Sequence, residues 1–119
     1  MEINDFAKKV HDNAVKKGFW PENHPTRYRI DAQINNIHDE VSELHEAWRS
    51  DSLYSLCDKS EKMVELGLTP LTKAEEELAD IVIRALDIAI ALGIDIERTC
   101  VLKHMYNKTR SFKHGNKLS

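Results

Sequence analysis

Two pairs of carboxylates in this chain stand three residues apart: Glu40 with Glu43, and Glu77 with Asp80. On a helix that spacing puts both acids of a pair on one face. Two such helices packed side by side would aim four carboxylates into one cleft. Like charges gathered this way repel unless a cation neutralises them. All-oxygen ligation suits a hard cation, Mg²⁺ or Mn²⁺, rather than zinc. Arg84, one turn beyond Asp80, is placed to orient that carboxylate. Each pair taken alone also reads as a solvated charged face, and more readily so for Glu40 and Glu43.

A second polar set follows near the C-terminus. Lys103, Asn107 and Arg110 fall at i, i+4 and i+7, with Lys113, His114 and Lys117 beyond them. Such a ladder can hold phosphate oxygens; it can equally be a solvated basic helix end favoured by the helix dipole. The two sets make sense together: carboxylates hold Mg²⁺, the metal binds a polyphosphate, and the basic residues hold its far end.

The elements that must position these groups are helices. Lys73 to Leu92 contains no Gly or Pro, and its apolar residues cover about 220° of a helical wheel. A helix with so wide an apolar arc is expected to be mostly buried. Glu77, Asp80, Arg84 and Asp87 form one narrow charged stripe along it, and buried charge is costly unless paired or bound to a cation. Thr72 is its expected N-cap, with Glu75 completing a capping box, and Gly93 ends it.

Residues 26–49 read as a second long helix. Ile30, Ile34, Ile37, Val41, Leu44 and Trp48 recur at 4-3-4-3-4 spacing, which predicts a packing seam. Gln33, Asn36, Glu40, Glu43 and Ala47 lie on its flank, while Asp39 and Glu46 face solvent. His38 and His45 share another face, as two possible metal ligands or as ordinary exposed histidines. A first helix is expected over 3–17, ended by Gly18, and a last one from Asp95 to about Thr109. The prolines of F-W-P-E-N-H-P exclude regular helix there; Trp20 in this connector either packs or stacks on a base. The segment 51–71 is irregular, with a short helix near 59–66. No β alternation or internal repeat is present. The expectation is an all-α, four-helix bundle-like fold in a single domain, 1–119, with residues 110–119 as a basic tail.

Composition narrows the function. The 119 residues are 41% apolar and carry a net charge of −3, enough for a core and unlike a binder of polymeric nucleic acid. No apolar run approaches the ~18 residues of a membrane span, and the first residues, M-E-I-N-D-F-A-K-K-V, lack a signal core. Cys57 and Cys100 form no C-x-x-C pair and read as two reduced thiols. Together these predict a cytoplasmic protein.

At the acidic motifs the chain resembles the MazG-like nucleotide pyrophosphohydrolases, the all-α NTP pyrophosphatase superfamily. That family carries E-x-x-E on one helix and E-x-x-D on a later one; here they read E-V-S-E-L-H-E-A-W from Glu40 and E-L-A-D-I-V-I-R-A-L-D-I-A from Glu77. The ending K-H-M-Y-N-K-T-R-S-F-K-H-G-N-K is similar to the family's closing K-x-x-x-N-x-x-R and His-Gly tail. The resemblance spans about residues 30 to 117 and departs in one respect: thirty-three residues lie between Glu43 and Glu77, more than in compact members. The extra length is the 51–71 segment, a lid or an interface element.

The resemblance implies hydrolysis of a nucleoside triphosphate to the monophosphate and pyrophosphate by in-line attack of water. It implies Glu40, Glu43, Glu77 and Asp80 as the catalytic Mg²⁺ ligands, with Mn²⁺ as a substitute, and Lys103, Asn107 and Arg110 on the phosphates. It also implies a homodimer or homotetramer, in agreement with the wide apolar arc of the third long helix. Trp20, Asn36 and Tyr28 are candidates for the nucleoside. Two readings of other classes stand beside it. One is a non-catalytic helical interaction protein with a vestigial metal site. The other, a ferritin-type di-metal protein, expects Glu-x-x-His motifs that neither pair provides.

Overall fold

The computed structural model describes residues 2–111. Its elements are α1 (Ile3–Lys16), α2 (Arg27–Arg49), α3 (Ser60–Glu65), α4 (Lys73–Ala91) and α5 (Ile96–Lys108), with no strand among the described residues. The fold is all-α. None of these helices is long and apolar enough to cross a membrane.

Local chemistry sets the helix ends. Thr26 Oγ1 accepts from Arg29 N at 3.1 Å and starts α2. At α4 the capping box is complete: Glu75 N donates to Thr72 Oγ1 at 3.2 Å, and Thr72 N to Glu75 Oε1 at 2.9 Å. Both bonds satisfy donors that a helix start leaves unpaired. Asp95 caps α5 through Arg98 N at 3.1 Å. The stop of α2 is unusual. Asp51 holds a left-handed φ of 55°, letting Ser52 N reach back to Ala47 O at 2.9 Å; elsewhere in this chain glycine takes that position, as Gly93 does after α4 with φ 70°.

Helix α4 is the centre. Its stripe contacts α2 on one side and α1 on the other, both antiparallel to it: Glu40 pairs with Arg84, His11 with Asp87. Helix α5 is tied on by its first turn, where Asn4 Nδ2 donates to Asp95 Oδ1 at 2.8 Å and Ile3 N to Glu97 Oε1 at 2.9 Å. Beyond that turn Val101, Leu102, Met105 and Tyr106 are exposed.

Two expectations about burial are corrected. The 4-3-4-3-4 seam of α2 does not form its packed face: Val41 is 44% and Trp48 66% exposed, whereas Gln33, Glu40 and Ala47 are buried. Helix α4 likewise turns Leu78 and Val82 outward while burying Glu76 and Asp87 beside Leu86 and Ala89. The cause lies in the pairing of polar groups. Glu40 and Arg84 attract across the α2–α4 contact, and that contact takes the polar flank of one helix and the charged stripe of the other. Ile34, Val41 and Trp48 of α2 and Leu78 and Val82 of α4 are left outside. Among the described residues no large side chain is fully buried. The radius of gyration, 16.7 Å, exceeds the about 13–14 Å of a compact domain this long.

Candidate metal centre

Helix α2 brings Glu40 and Glu43, and α4 brings Glu77, so that one carboxylate oxygen from each lies within 4.8 Å of the others. Arg84 Nε donates to Glu40 Oε1 at 3.0 Å. Glu40 Oε2 and Glu77 Oε2 are buried with no hydrogen-bond donor. A buried, unmatched carboxylate oxygen costs free energy, and a proton or a cation relieves it.

The acidities follow from this crowding. Burial, with the neighbouring carboxyls of Glu40 and Glu43, pushes Glu77 up to about 8. Burial alone would raise Glu40 as well, but the protonated Glu77 and the Arg84 guanidinium beside it outweigh that and hold Glu40 below the usual carboxylate range. Asp80 is raised, first by burial and then by the charges of Glu40 and Glu76.

Asp80 stands one turn along α4, outside the 4.8 Å group, and lines an adjoining cleft with Asn13, Phe19, Arg84 and Asp87. Arg84, expected on Asp80, instead makes its bond to Glu40, and its guanidinium lies 5.8 Å from the Phe19 ring centre. The donor set fits a hard divalent cation: oxygen atoms alone, three converging from two helices, on residues two of which keep an unpartnered buried oxygen. His38 and His45 are exposed and belong to no such group among the described residues. Cys57 is buried and Cys100 exposed, both free.

The basic ladder is not assembled with the acids. Lys103 and Arg110 approach the Tyr106 ring, at 4.9 and 5.8 Å from its centre, and Asn107 Oδ1 is buried without a partner. Among the described residues none of the three bonds to Glu40, Glu43, Glu77 or Asp80. Lys113, His114 and Lys117 lie outside the described residues.

Of the nucleoside candidates, Tyr28 is exposed beside Arg29. Asn36 Nδ2 donates to Gln33 Oε1 at 3.0 Å, and Gln33 donates on to the Phe19 carbonyl, one turn from Glu40. Trp20 is only 7% exposed. Its indole N–H is shared between both oxygens of Asp87 at 2.9 Å, and an edge of it reaches a cavity lined by His11, Pro21, His24 and Ile90.

Sequence reading missed three groups. Glu76 is buried and ion-paired with Lys59. His11 Nδ1 bonds Asp87 at 2.7 Å. Glu76 sits beside Glu77 and was legible only as part of an acidic run; Lys59 carried no local signal, because its partner lies seventeen residues away. Comparison of the chain with protein families, curated proteins and solved structures returns no match.

Proposed function

We propose that the protein is a Mg²⁺-dependent nucleoside triphosphate pyrophosphohydrolase of MazG-like bundle type, releasing monophosphate and pyrophosphate. The observation that carries this reading is the gathering of Glu40, Glu43 and Glu77, in which Glu40 Oε2 and Glu77 Oε2 are buried and no basic or amide group donates to them. Glu40, Glu43 and Glu77 would hold the cation, with Asp80 completing the set from the next turn of α4. When bound, the cation supplies positive charge to the phosphate chain and lowers the pKa of water at the site.

The chain's own residues do the rest. Arg84 fixes Glu40 through a charge-assisted bond, so the carboxylate meets its ligand already oriented. Glu77 would hold the cation in its ionised form, so binding there would release the proton it otherwise keeps. Asn36, one turn from Glu40 on α2, and Trp20, whose edge reaches the cavity lined by His11 and Ile90, would take the nucleoside. Lys103, Asn107 and Arg110 would hold the outer phosphates.

The reading includes a homodimer or larger homo-oligomer. Its support is the exposed part of the α2 seam, Ile34, Val41 and Trp48, together with Leu78 and Val82 of α4 and the apolar side of α5. Monomers rarely leave so much contiguous apolar surface in water, and an isologous pair is the simplest closed assembly. A second chain is also what could carry α5 donors to a cleft from which their own chain holds them apart.

The test is product analysis by chromatography. Purified protein meets each common NTP and dNTP with Mg²⁺ and then with EDTA. Monophosphate and pyrophosphate formed only with Mg²⁺ is the expected result, and the rates name the preferred base. No turnover of any triphosphate in any divalent metal rejects the hydrolase and favours an interaction protein.

A further inference from the structure

We infer that Lys59, carried by the 51–72 insertion, is a phosphate-binding residue of the same site. The inference rests on the hydrolase reading for its substrate and on separate residues for its argument. A cavity of about 250 Å³ is lined by Glu43 and Glu77 of the acid group and by Cys57, Asp58, Lys59, Lys73 and Glu76. The insertion therefore walls one side of the cation site.

The insertion is firmly seated. Cys57 N donates to Leu71 O at 2.9 Å, Lys73 N to Ser55 O at 2.8 Å and Ala74 N to Leu53 O at 2.9 Å. These bonds bring Lys59 onto the buried carboxylate of Glu76. An ammonium has three N–H donors. Glu76 takes one and Asp58, at 3.3 Å, a second, which leaves a third that neither carboxylate uses.

Once a divalent cation neutralises Glu43 and Glu77, Lys59 and Lys73 balance Glu76 and Asp58 on this wall, so an arriving phosphate meets no net negative charge there. Arg84 is engaged by Glu40, and the α5 ladder makes no polar contact here. So among the described residues the ammonium groups sharing a cavity with the acid group are those of Lys59 and Lys73. Anchored on Glu76, the ammonium is held ready for an anionic oxygen at little further entropy cost. Its ligand is the terminal diphosphate of the substrate, and afterwards pyrophosphate.

The competing reading is that Lys59 only neutralises Glu76. Four proteins separate the two: wild type, Lys59→Met, Glu76→Gln and the double variant Lys59→Met/Glu76→Gln, which leaves no unpaired buried charge and so keeps the fold. Inorganic pyrophosphate binding with Mg²⁺, read by calorimetry, and triphosphate kinetics are measured on each. Loss of a charge-assisted bond predicts pyrophosphate affinity and KM each about 10-fold weaker in Lys59→Met and still weak in the double variant, with the Mg²⁺ activation constant unchanged. Wild-type affinity in the double variant overturns the inference. Pyrophosphate binding that depends on Lys59 in a protein with no triphosphate turnover keeps the inference and sinks the hydrolase; no pyrophosphate binding by wild type sinks the inference, whatever the turnover.

Discussion

Glu77 and Asp87 lie on one stripe of α4, and both turn inward, yet their surroundings differ. Asp87 is 6% exposed and saturated: the Trp20 indole gives it a shared N–H, and His11 a further bond. It ties α1 and the F-W-P connector to α4. Glu77 faces two other carboxyls and keeps an oxygen that nothing donates to. The same residue class, on the same helix face, is satisfied at one end and starved at the other. Buried acid charge is thus ambiguous by itself. What separates a tie from a site is whether the neighbours are donors or more acids.

That contrast can be broken by substitution. At the starved end, Glu43→Gln or Asp80→Asn should cost turnover at least about 10²-fold, the order seen when one electrostatic stabiliser is removed from an active site, while circular dichroism and melting show an intact fold. Activity within a few fold of wild type would remove that residue from the cation site. At the saturated end, Asp87→Ala should lower stability by about 3 kcal/mol, because it strands the indole and imidazole N–H groups. Denaturant unfolding measures it, and the Mg²⁺ requirement of the surviving folded protein should not change. Trp20→Phe, which removes one donor and keeps an apolar ring, should cost about 1–2 kcal/mol by the same measurement.

The sharpest comparison is by pH. Glu77 titrates near 8 in the folded chain against an ordinary 4.5. A carboxyl raised on folding binds its proton more tightly in the native state, so its contribution to stability is complete below pH ~4.5 and lost as pH climbs toward 8. In EDTA, melting temperature should therefore drop more steeply across that window in wild type than in Glu77→Gln. Added Mg²⁺ should stabilise wild type more at pH 8.5 than at pH 6, since it need not displace a proton there. Parallel curves for the two proteins would show that Glu77 ionises normally.

How far the sequence could be read followed from how local each signal is. Caps and stops are written within four residues, and Thr72, Glu75, Asp95 and Gly93 do what their types and positions predict. The acid group was legible because i,i+3 spacing is a property of one helix, needing only that two helices meet. Which face meets which neighbour is a property of the whole packing. The α2 seam was a correct apolar pattern assigned to the wrong partner, since periodicity reports an apolar side without saying what covers it. Arg84 was assigned to an acid on its own helix, but its bond goes to one forty-four residues away. The His11–Asp87–Trp20 tie and the Lys59–Glu76 pair span even less predictable distances, through a connector and an insertion with no regular pattern.

The seating of the insertion also separates two kinds of change within it. Because backbone bonds fasten its two ends together beside α4, the path of the chain between them is free to vary without moving the anchors. Lengthening a closed loop is cheap, with each doubling costing about 0.6 kcal/mol. Val64 and Leu66, at its outer turn, face solvent. That turn is the natural place to graft an epitope or attach a fluorophore: a tag there rides on the insertion that walls the cleft, while the residues that line it stay where they are.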